Sequence, residues 1–438
     1  MIIFIFSSIL LKTTDFYIDF KYINLGGGID MNAEQFLKEA QALQGELVEK
    51  RHYIHSHAET GFDLCNTVNF VKEALSAMGY EPQDCGKSGI VVTVGGKKQG
   101  RVFLVRGDMD ALPFPEQSEV DFASDNGNAH ACGHDMHTTM LLGAAKLLKM
   151  HEDEIEGTIK LMFQPAEEIF EGAHDMIEAG VLKNPDVDAA LMIHVMAGQP
   201  FEPGTVIVSS GGISAPGADY FNIHVQGVGC HGSMPNTGVD PINIAAHIIT
   251  ALQEIQTREL ALVDEAVLTF GQIHAGQAAN AVPDVVDMEG TIRTYDEDVR
   301  TFIKERMTQI STGIASAFRG TATVDFYRGC PVLKNDYDLS DCSATYVKEL
   351  LGPAKALTQK QLLAMAGDAK PSKSAGSEDF AFVSQEVPSI MLALAAGNPQ
   401  GGYSFPQHHP KVKFDDSVLA SGSAVYAYTA MRWLEDHK

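Results

Sequence analysis

Short apolar segments that alternate with helical segments constrain the fold of this chain more than any other feature. Segments with the length and composition of buried strands occur at residues 90–94, 102–105, 159–163 and 189–193. A helical stretch at 137–150 lies between the second and the third of them. This alternation predicts the fold class α/β, with a mixed, mostly parallel sheet.

Charged and polar side chains lie just past the carboxyl ends of three of these strands. They are Asp108, Asp110, Glu167, Glu168 and His194. Open α/β sheets place their functional sites at the carboxyl ends of the strands. We therefore expect these side chains to meet at one edge of the sheet.

The most informative short motif is Cys-Gly-His-Asp-Met-His at residues 132–137. Cys132 and His134 offer a thiolate and an imidazole two positions apart, which suits zinc, manganese or cobalt. A lone cysteine is more often a small core residue, and adjacent acids such as Glu167 and Glu168 often only begin a helix. The combination of all these groups at strand ends favours a metal site over the structural readings.

Composition narrows the choice of partners and compartment. The 438 residues are 45% hydrophobic and carry a formal net charge of −25, which argues against nucleic acid or an anionic membrane as a partner. The six cysteines have no disulfide-framework spacing, so we expect a reduced, cytoplasmic protein.

The first thirty residues differ from the rest of the chain. Residues 1–11 are apolar, but they lack a basic start and are too short to span a bilayer; a signal peptide is the lesser alternative. Residues 26–30 read Gly-Gly-Gly-Ile-Asp before Met31, as a translated ribosome-binding site would. We expect 1–30 to be a non-native or disordered extension and Met31 to be the true start.

The pattern changes from residue 218 onward. The segments there follow the order strand, helix, strand, strand, helix, strand, which is typical of the ferredoxin-like split β-α-β fold. Because α/β character resumes afterwards, we predict that 218–327 is an inserted domain. Residues 32–217 and 328–438 would then form one catalytic, metal-binding domain.

An ordered series of motifs resembles the metal-dependent aminoacylase and carboxypeptidase superfamily, especially its branch of hippurate hydrolases and auxin-conjugate hydrolases. The resemblance covers nearly everything from about Asn32 to the C-terminus. Each motif is weak alone, but their order is specific. They lie at residues 106–113, 132–137, 164–168, 194–196, 229–235, 240–242, 280–283, 293, 376–380 and 408–410.

The resemblance implies two divalent metal ions per subunit, which would be zinc, manganese, cobalt or nickel. It also implies that Glu167 is the general base and acid and that the Asp110 carboxylate orients a ligand. His408 is preferred over its neighbour because the family pattern places a histidine two residues before the proline. The implied metal ligands are Cys132, His134, Glu168, His194 and His408.

The insert is implied to be a lid and dimerisation domain. In the family, the insert histidine, here His231, reaches the active site of the other subunit and stabilises the oxyanion. Asn280 would assist it, and Arg293 would hold the substrate carboxylate through its planar guanidinium. The partners implied are a small N-acyl amino acid and a second copy of the chain, in a homodimer or higher homo-oligomer.

The function expected from these residues is hydrolysis of the amide bond of N-acyl amino acids, such as N-acetyl or N-benzoyl conjugates. A dipeptidase or carboxypeptidase on the same scaffold is the nearest alternative, and it would need a grip on a free amine. A two-metal phosphoesterase would need a basic phosphate clamp, but Lys and Arg are sparse in residues 107–140 and 161–200. A non-catalytic metal-binding protein would have no need of Glu167.

Overall fold

The structure of the protein is a computed structural model that describes residues 32–365 and 376–438. The extension expected at residues 1–30 lies outside the described residues. The helices are α1 Ala33–Ala42, α2 Gln44–Ser56, α3 Cys65–Ala77, α4 His134–Met150, α5 Gly172–Glu178, α6 Pro241–Glu254, α7 Glu297–Ala317, α8 Tyr337–Leu351, α9 Gln359–Met365, α10 Ala381–Glu386 and α11 Leu419–Asp436.

The strands form one large sheet, a four-stranded sheet and two short pairs within the described ranges. They are β1 Gln83–Cys85, β2 Gly89–Gly95, β3 Val102–Asp108, β4 Thr158–Gln164, β5 Ala189–Met196, β6 Val206–Val208, β7 Gly212–Ala215, β8 Gly217–Gln226, β9 Cys230–His231, β10 Ala266–Ala275, β11 Ala281–Val282, β12 Val285–Thr294, β13 Thr321–Cys330, β14 Leu333–Asn335, β15 Ala356–Thr358 and β16 Ser389–Ala395.

The large sheet has the order β1-β2-β4-β3-β5-β16-β6-β15. Its four central strands, β4, β3, β5 and β16, are parallel to one another, and antiparallel pairs occur toward the two sides. Every residue of β3 is buried, as expected for a strand covered on both faces. The mixed, mostly parallel sheet predicted from the sequence is confirmed.

Helices cover both faces of this sheet. On one face α4 packs against α11, and both contact β3. There the hydroxyl of Tyr426 donates to the carbonyl of Arg106 at 2.8 Å and accepts from the N–H of Ile193 at 3.0 Å, which ties α11 to two neighbouring strands. On the other face α5 and α10 pack over a second apolar cluster that includes Met162, Met176 and Phe380.

The four-stranded sheet has the order β10-β12-β8-β13, and all its pairs are antiparallel. With α6 and α7 it reproduces the predicted ferredoxin-like order of strands and helices. Phe221, Ile223 and Val225 point from β8 into the core beneath the two helices, and alternate residues face the opposite side. The role of this unit as a lid, and the limits of the two domains, stay predictions.

Helix α6 ends at Glu254, and the chain then widens into a π-helical turn at Ile255–Glu259. Helix α4 begins at His134, three residues earlier than predicted. In the described part of the chain, no helix has the length and apolar character needed to cross a membrane.

Candidate metal centre

The five expected metal ligands meet at the carboxyl edge of the large sheet. The Sγ atom of Cys132 lies 3.6 Å from His194 Nε2, and Glu168 Oε1 lies 3.9 Å from His134 Nε2. His408 reaches the same glutamate, with 3.6 Å between its Nε2 and Glu168 Oε1. The five expected ligands supply two groups that share the cysteine, and within each group all ligand atoms lie within 4.8 Å of one another. Glu167 belongs to two further groups of this kind, one with His134 and Glu168 and one with Glu378 and Asp379.

The turn before α4 presents the first two ligands. Gly133 has a φ of 96°, and a Cβ at this position would collide with the side chain of Val195, so only glycine fits. His134 then opens the helix, and its Nδ1–H donates to the carbonyl oxygen of Asp110 at 2.8 Å. This bond leaves the Nε2 lone pair of His134 available to a metal.

The two other histidines of this region are in different situations. His194 donates from Nδ1 to the carbonyl of Val195 at 2.7 Å, so its Nε2 faces Cys132 with a free lone pair. His137 donates from Nδ1 to Asp108 at 2.6 Å and accepts the N–H of Val195 on Nε2 at 2.8 Å. Both ring nitrogens of His137 are in use, which leaves none for a metal.

Asp110 holds the backbone of the two glutamates in place. Its carboxylate accepts the backbone N–H groups of Glu167 at 3.0 Å and Glu168 at 3.2 Å. Since its carbonyl also binds His134, Asp110 orients three groups of the centre at once. The sequence predicts only a carboxylate that orients a ligand; the structure adds that the main chain makes the contact to the imidazole.

Burial disfavours the charged forms of the acidic groups in this centre. It raises the pKa of Glu168 to about 7. Burial together with the carboxylates of Glu378 and Glu168 raises the pKa of Glu167 well above its usual value. Burial and the Glu168 carboxylate likewise raise the pKa of the Cys132 thiol. When ionised, these groups carry more negative charge than their surroundings balance, and a divalent cation supplies the missing positive charge.

Two unpartnered atoms identify where a cation fits. His134 Nε2 and Glu168 Oε1 are buried and have no hydrogen-bond partner in the described residues. Buried polar atoms rarely lack a partner, because losing water without replacement costs about 1–3 kcal/mol. Thiolate, imidazole and carboxylate are ligands that zinc and similar ions accept. The residues present therefore fit a metal centre.

A buried arginine lies beneath the centre and was not assigned a role from the sequence. Arg106 is fully buried and forms ion pairs with Asp108 at 2.6 Å, Glu378 at 2.9 Å and Asp379 at 2.9 Å. Asp379 in turn donates its backbone N–H to Glu167 at 3.4 Å. The available signal was a charged residue directly after the apolar run at residues 102–105.

The structure does not bring the expected insert residues to the ligands. His231 and Asn280 are exposed and adjacent, since β9 pairs with β11 and the N–H of Gly232 donates to the Asn280 carbonyl at 2.8 Å. No hydrogen bond or ion pair joins either of them to the five ligands within 32–365 and 376–438. Arg293 donates to the hydroxyl of Tyr220 at 3.2 Å on the second sheet.

The model of the family described as Peptidase family M20/M25/M40 matches residues 104–432, well over half of the chain. The chain belongs to this family. The family resemblance predicted from the motifs is confirmed, and with it the prediction that the chain is a hydrolase.

Known proteins similar to this M20 chain include enzymes and a solved structure. It is 32% identical to an N-acetylcysteine deacetylase of Bacillus subtilis, over 91% of this chain and 99% of the relative. It is 34% identical to thermostable carboxypeptidase 2 of Saccharolobus solfataricus, over 91% and 98%. A crystal structure of a Bacillus subtilis dinuclear metal binding peptidase from the M20 family superposes with a TM-score of 0.72 at 30% identity, covering 90% of this chain and 99% of that one.

Proposed function

We propose that this M20 protein hydrolyses the amide bond of N-acyl amino acids and releases a carboxylic acid and a free amino acid. One observation carries the proposal. Cys132 belongs to two groups of possible metal ligands, one with His134 and His194 and one with Glu168 and His408. Neither of these two groups needs Glu167, which lies beside them. The similarity to a deacetylase of an N-acetyl amino acid supports the same substrate class.

Two divalent ions would be held by the two groups, the first by Cys132, His134 and His194 and the second by Cys132, Glu168 and His408. The dinuclear structure to which the chain is similar supports two ions rather than one. When bound, such ions polarise the substrate carbonyl and lower the pKa of water from 15.7 toward about 7. A thiolate ligand suits a reducing compartment, so we place the protein in the cytoplasm.

Glu167 is positioned to move the proton of the reaction. One of its carboxylate oxygens accepts the Asp379 N–H at 3.4 Å, and the other lies 4.0 Å from His134 Nε2 on the ligand side. It is buried, and burial raises the pKa of Glu167 well above its usual value, so it holds a proton more readily than an exposed carboxylate does. Glu167 would take the proton of the attacking water and deliver it to the departing amine nitrogen.

The oxyanion needs a donor, and the described residues of one chain bring neither His231 nor Asn280 to the ligands. We infer that His231 of a second copy supplies it, with Asn280 beside it. Strand β10 is an edge of the second sheet, and its exposed side chains include Val267 and Ile273, 52% and 54% exposed. Such an apolar edge suits a contact with another copy, so we propose a homodimer.

The test of the function is turnover of N-acetyl amino acids, hippurate and dipeptides by enzyme stripped of metal and reloaded with one ion at a time. Metal-dependent release of amino acid from the acylated substrates is the expected result. Cleavage of dipeptides alone would instead place the chain with the carboxypeptidases. No cleavage of any substrate by enzyme with two metals bound would exclude the proposed reaction.

The cross-subunit role of His231 predicts a specific pattern of complementation. Glu167→Gln and His231→Ala subunits, each nearly inactive alone, are joined in a heterodimer isolated through two different affinity tags. One of its two sites then has both residues, so we expect about half of the wild-type turnover. Steady-state kinetics on the purified heterodimer measures this.

The control heterodimer pairs a wild-type subunit with a subunit that carries both substitutions. If His231 acts across the interface, neither of its sites is complete, and it should be nearly inactive. If His231 acts within its own chain, the two heterodimers exchange behaviour and the control retains half of the activity. The two outcomes therefore exclude each other.

A further inference from the structure

A β-bulge in the second sheet brings an arginine to the side of Tyr220. Phe326 pairs with Phe221, but the next pair joins Arg328 to Tyr220, because Tyr327 is the extra residue of the bulge. Paired residues share one face of a sheet, so Arg328 and Tyr220 both lie on the face opposite α6 and α7. Without the bulge, Tyr327 would occupy this place.

Arg293 lies on the same face and contacts the same ring. Its guanidinium carbon is 5.2 Å from the centre of the Tyr220 ring, and that of Arg328 is 5.8 Å from it. The Nη1 group of Arg293 donates to the Thr291 hydroxyl and the Ile292 carbonyl, and its Nη2 group donates one hydrogen to the Tyr220 hydroxyl. Its Nε–H and one Nη2–H stay available, enough for one carboxylate.

Arg328 has no anionic partner among residues 32–365 and 376–438. Its Nε is buried without a hydrogen-bond partner, and no ion pair within 4.0 Å is formed by its guanidinium in the described residues. Glu289 and Asp325 lie on the same face, each paired with Asn222 in the sheet, yet neither reaches it at that distance. Holding the positively charged Arg328 guanidinium beside that of Arg293 is unfavourable unless an anion balances the charge.

The Tyr220 ring connects this pair of arginines to the segment that carries the two glutamates. Phe170 follows the two glutamates by two residues, and its ring centre is 6.4 Å from that of Tyr220. The N–H of Phe170 donates to the Glu167 carbonyl at 2.8 Å, so the two belong to one turn. The ring that both guanidinium groups contact therefore lies next to a residue of the Glu167 turn.

We propose that Arg328 is a specificity-determining residue that binds a second carboxylate of the substrate. The preferred substrates are then N-acyl derivatives of aspartate or glutamate. Arg293 holds the α-carboxylate and Arg328 the side-chain carboxylate, each through a separate guanidinium fork. This inference rests on the proposed hydrolysis of N-acyl amino acids and narrows its substrate class.

The test compares pairs of substrates that match in shape and differ by one charge: N-acetylglutamate with N-acetylglutamine, and N-acetylaspartate with N-acetylasparagine. The wild-type enzyme is expected to prefer the acidic member of at least one pair by about tenfold in kcat/KM. Arg328→Met should abolish that preference and leave the kcat/KM of the amide substrate within about threefold. Arg328→Lys, which keeps the charge, should retain part of the preference.

The control variant is Arg258→Met, which removes an exposed arginine of the insert. It should change kcat/KM for neither member of a pair. The inference would be overturned if the wild-type enzyme had no preference for the acidic substrate. It would also be overturned if Arg328→Met lowered kcat/KM equally for both members of a pair. Either result would show that Arg328 does not bind a second carboxylate.

Binding separates this inference from the proposed reaction. Calorimetry with metal-loaded Glu167→Gln enzyme measures the affinity for N-acetylglutamate and N-acetylglutamine without turnover, with and without Arg328→Met. If N-acetylglutamate binds more tightly than N-acetylglutamine only when Arg328 is present, but the wild-type enzyme hydrolyses no N-acyl amino acid, the proposed reaction is wrong and the carboxylate site stands. If the wild-type enzyme hydrolyses N-acyl amino acids but binding does not depend on Arg328, the reaction stands and the carboxylate site is wrong.

Discussion

Glu167→Gln is expected to lower kcat by about 10²–10⁴-fold while the protein keeps its full metal content. Glutamine has the same shape and preserves the contact with the Asp379 N–H. It cannot accept the proton of the attacking water, and it has none to give to the departing amine. The loss should therefore appear in kcat, with KM changed little.

Metal analysis by mass spectrometry, together with kinetics on an N-acetyl amino acid, checks this prediction. Glu168→Gln is the matched control, because the same change one residue later removes a proposed ligand. That variant should lose bound metal as well as activity. Wild-type-like turnover in Glu167→Gln would remove Glu167 from its role, and loss of metal would make it a ligand instead.

The position of the centre could be predicted because it follows from local rules. Apolar runs give the strands, and parallel strands end at one edge, so Asp110, Glu168 and His194 had to converge there. Cys132 and His134 flank Gly133 in the sequence, so a single turn presents both ligands. The split order of the second sheet followed from the alternation of its segments.

Other features depend on contacts that a sequence pattern does not contain. The ion pairs of Arg106 join β3 to residues about 270 positions later, and only the folded sheet brings them together. The bulge at Arg328 changes the face of a side chain through one extra residue, which alternation of apolar and polar residues cannot reveal. The proposed role of His231 involves a second copy of the chain, which a pattern within one sequence does not describe.

Arg106→Met is expected to lower the free energy of unfolding by about 3–5 kcal/mol. The change keeps much of the side-chain volume but leaves Asp108, Glu378 and Asp379 buried without their shared cation. Burial raises the pKa of Asp379 and the Arg106 guanidinium lowers it, so the arginine favours the charged form of this carboxyl. Lysine would be a poor substitute, because one ammonium group cannot reach three carboxylates that a planar guanidinium spans.

Denaturant unfolding of metal-free protein measures this change without the contribution of metal binding to stability. The control is Lys38→Met, which removes a cation from an exposed pair with Glu34 and should leave the midpoint unchanged. If Arg106→Met unfolds at the same denaturant midpoint as the wild type, the three acids are stable without the arginine because they share protons. A large loss would show that the three acids beneath the centre depend on this one buried side chain for their balancing charge.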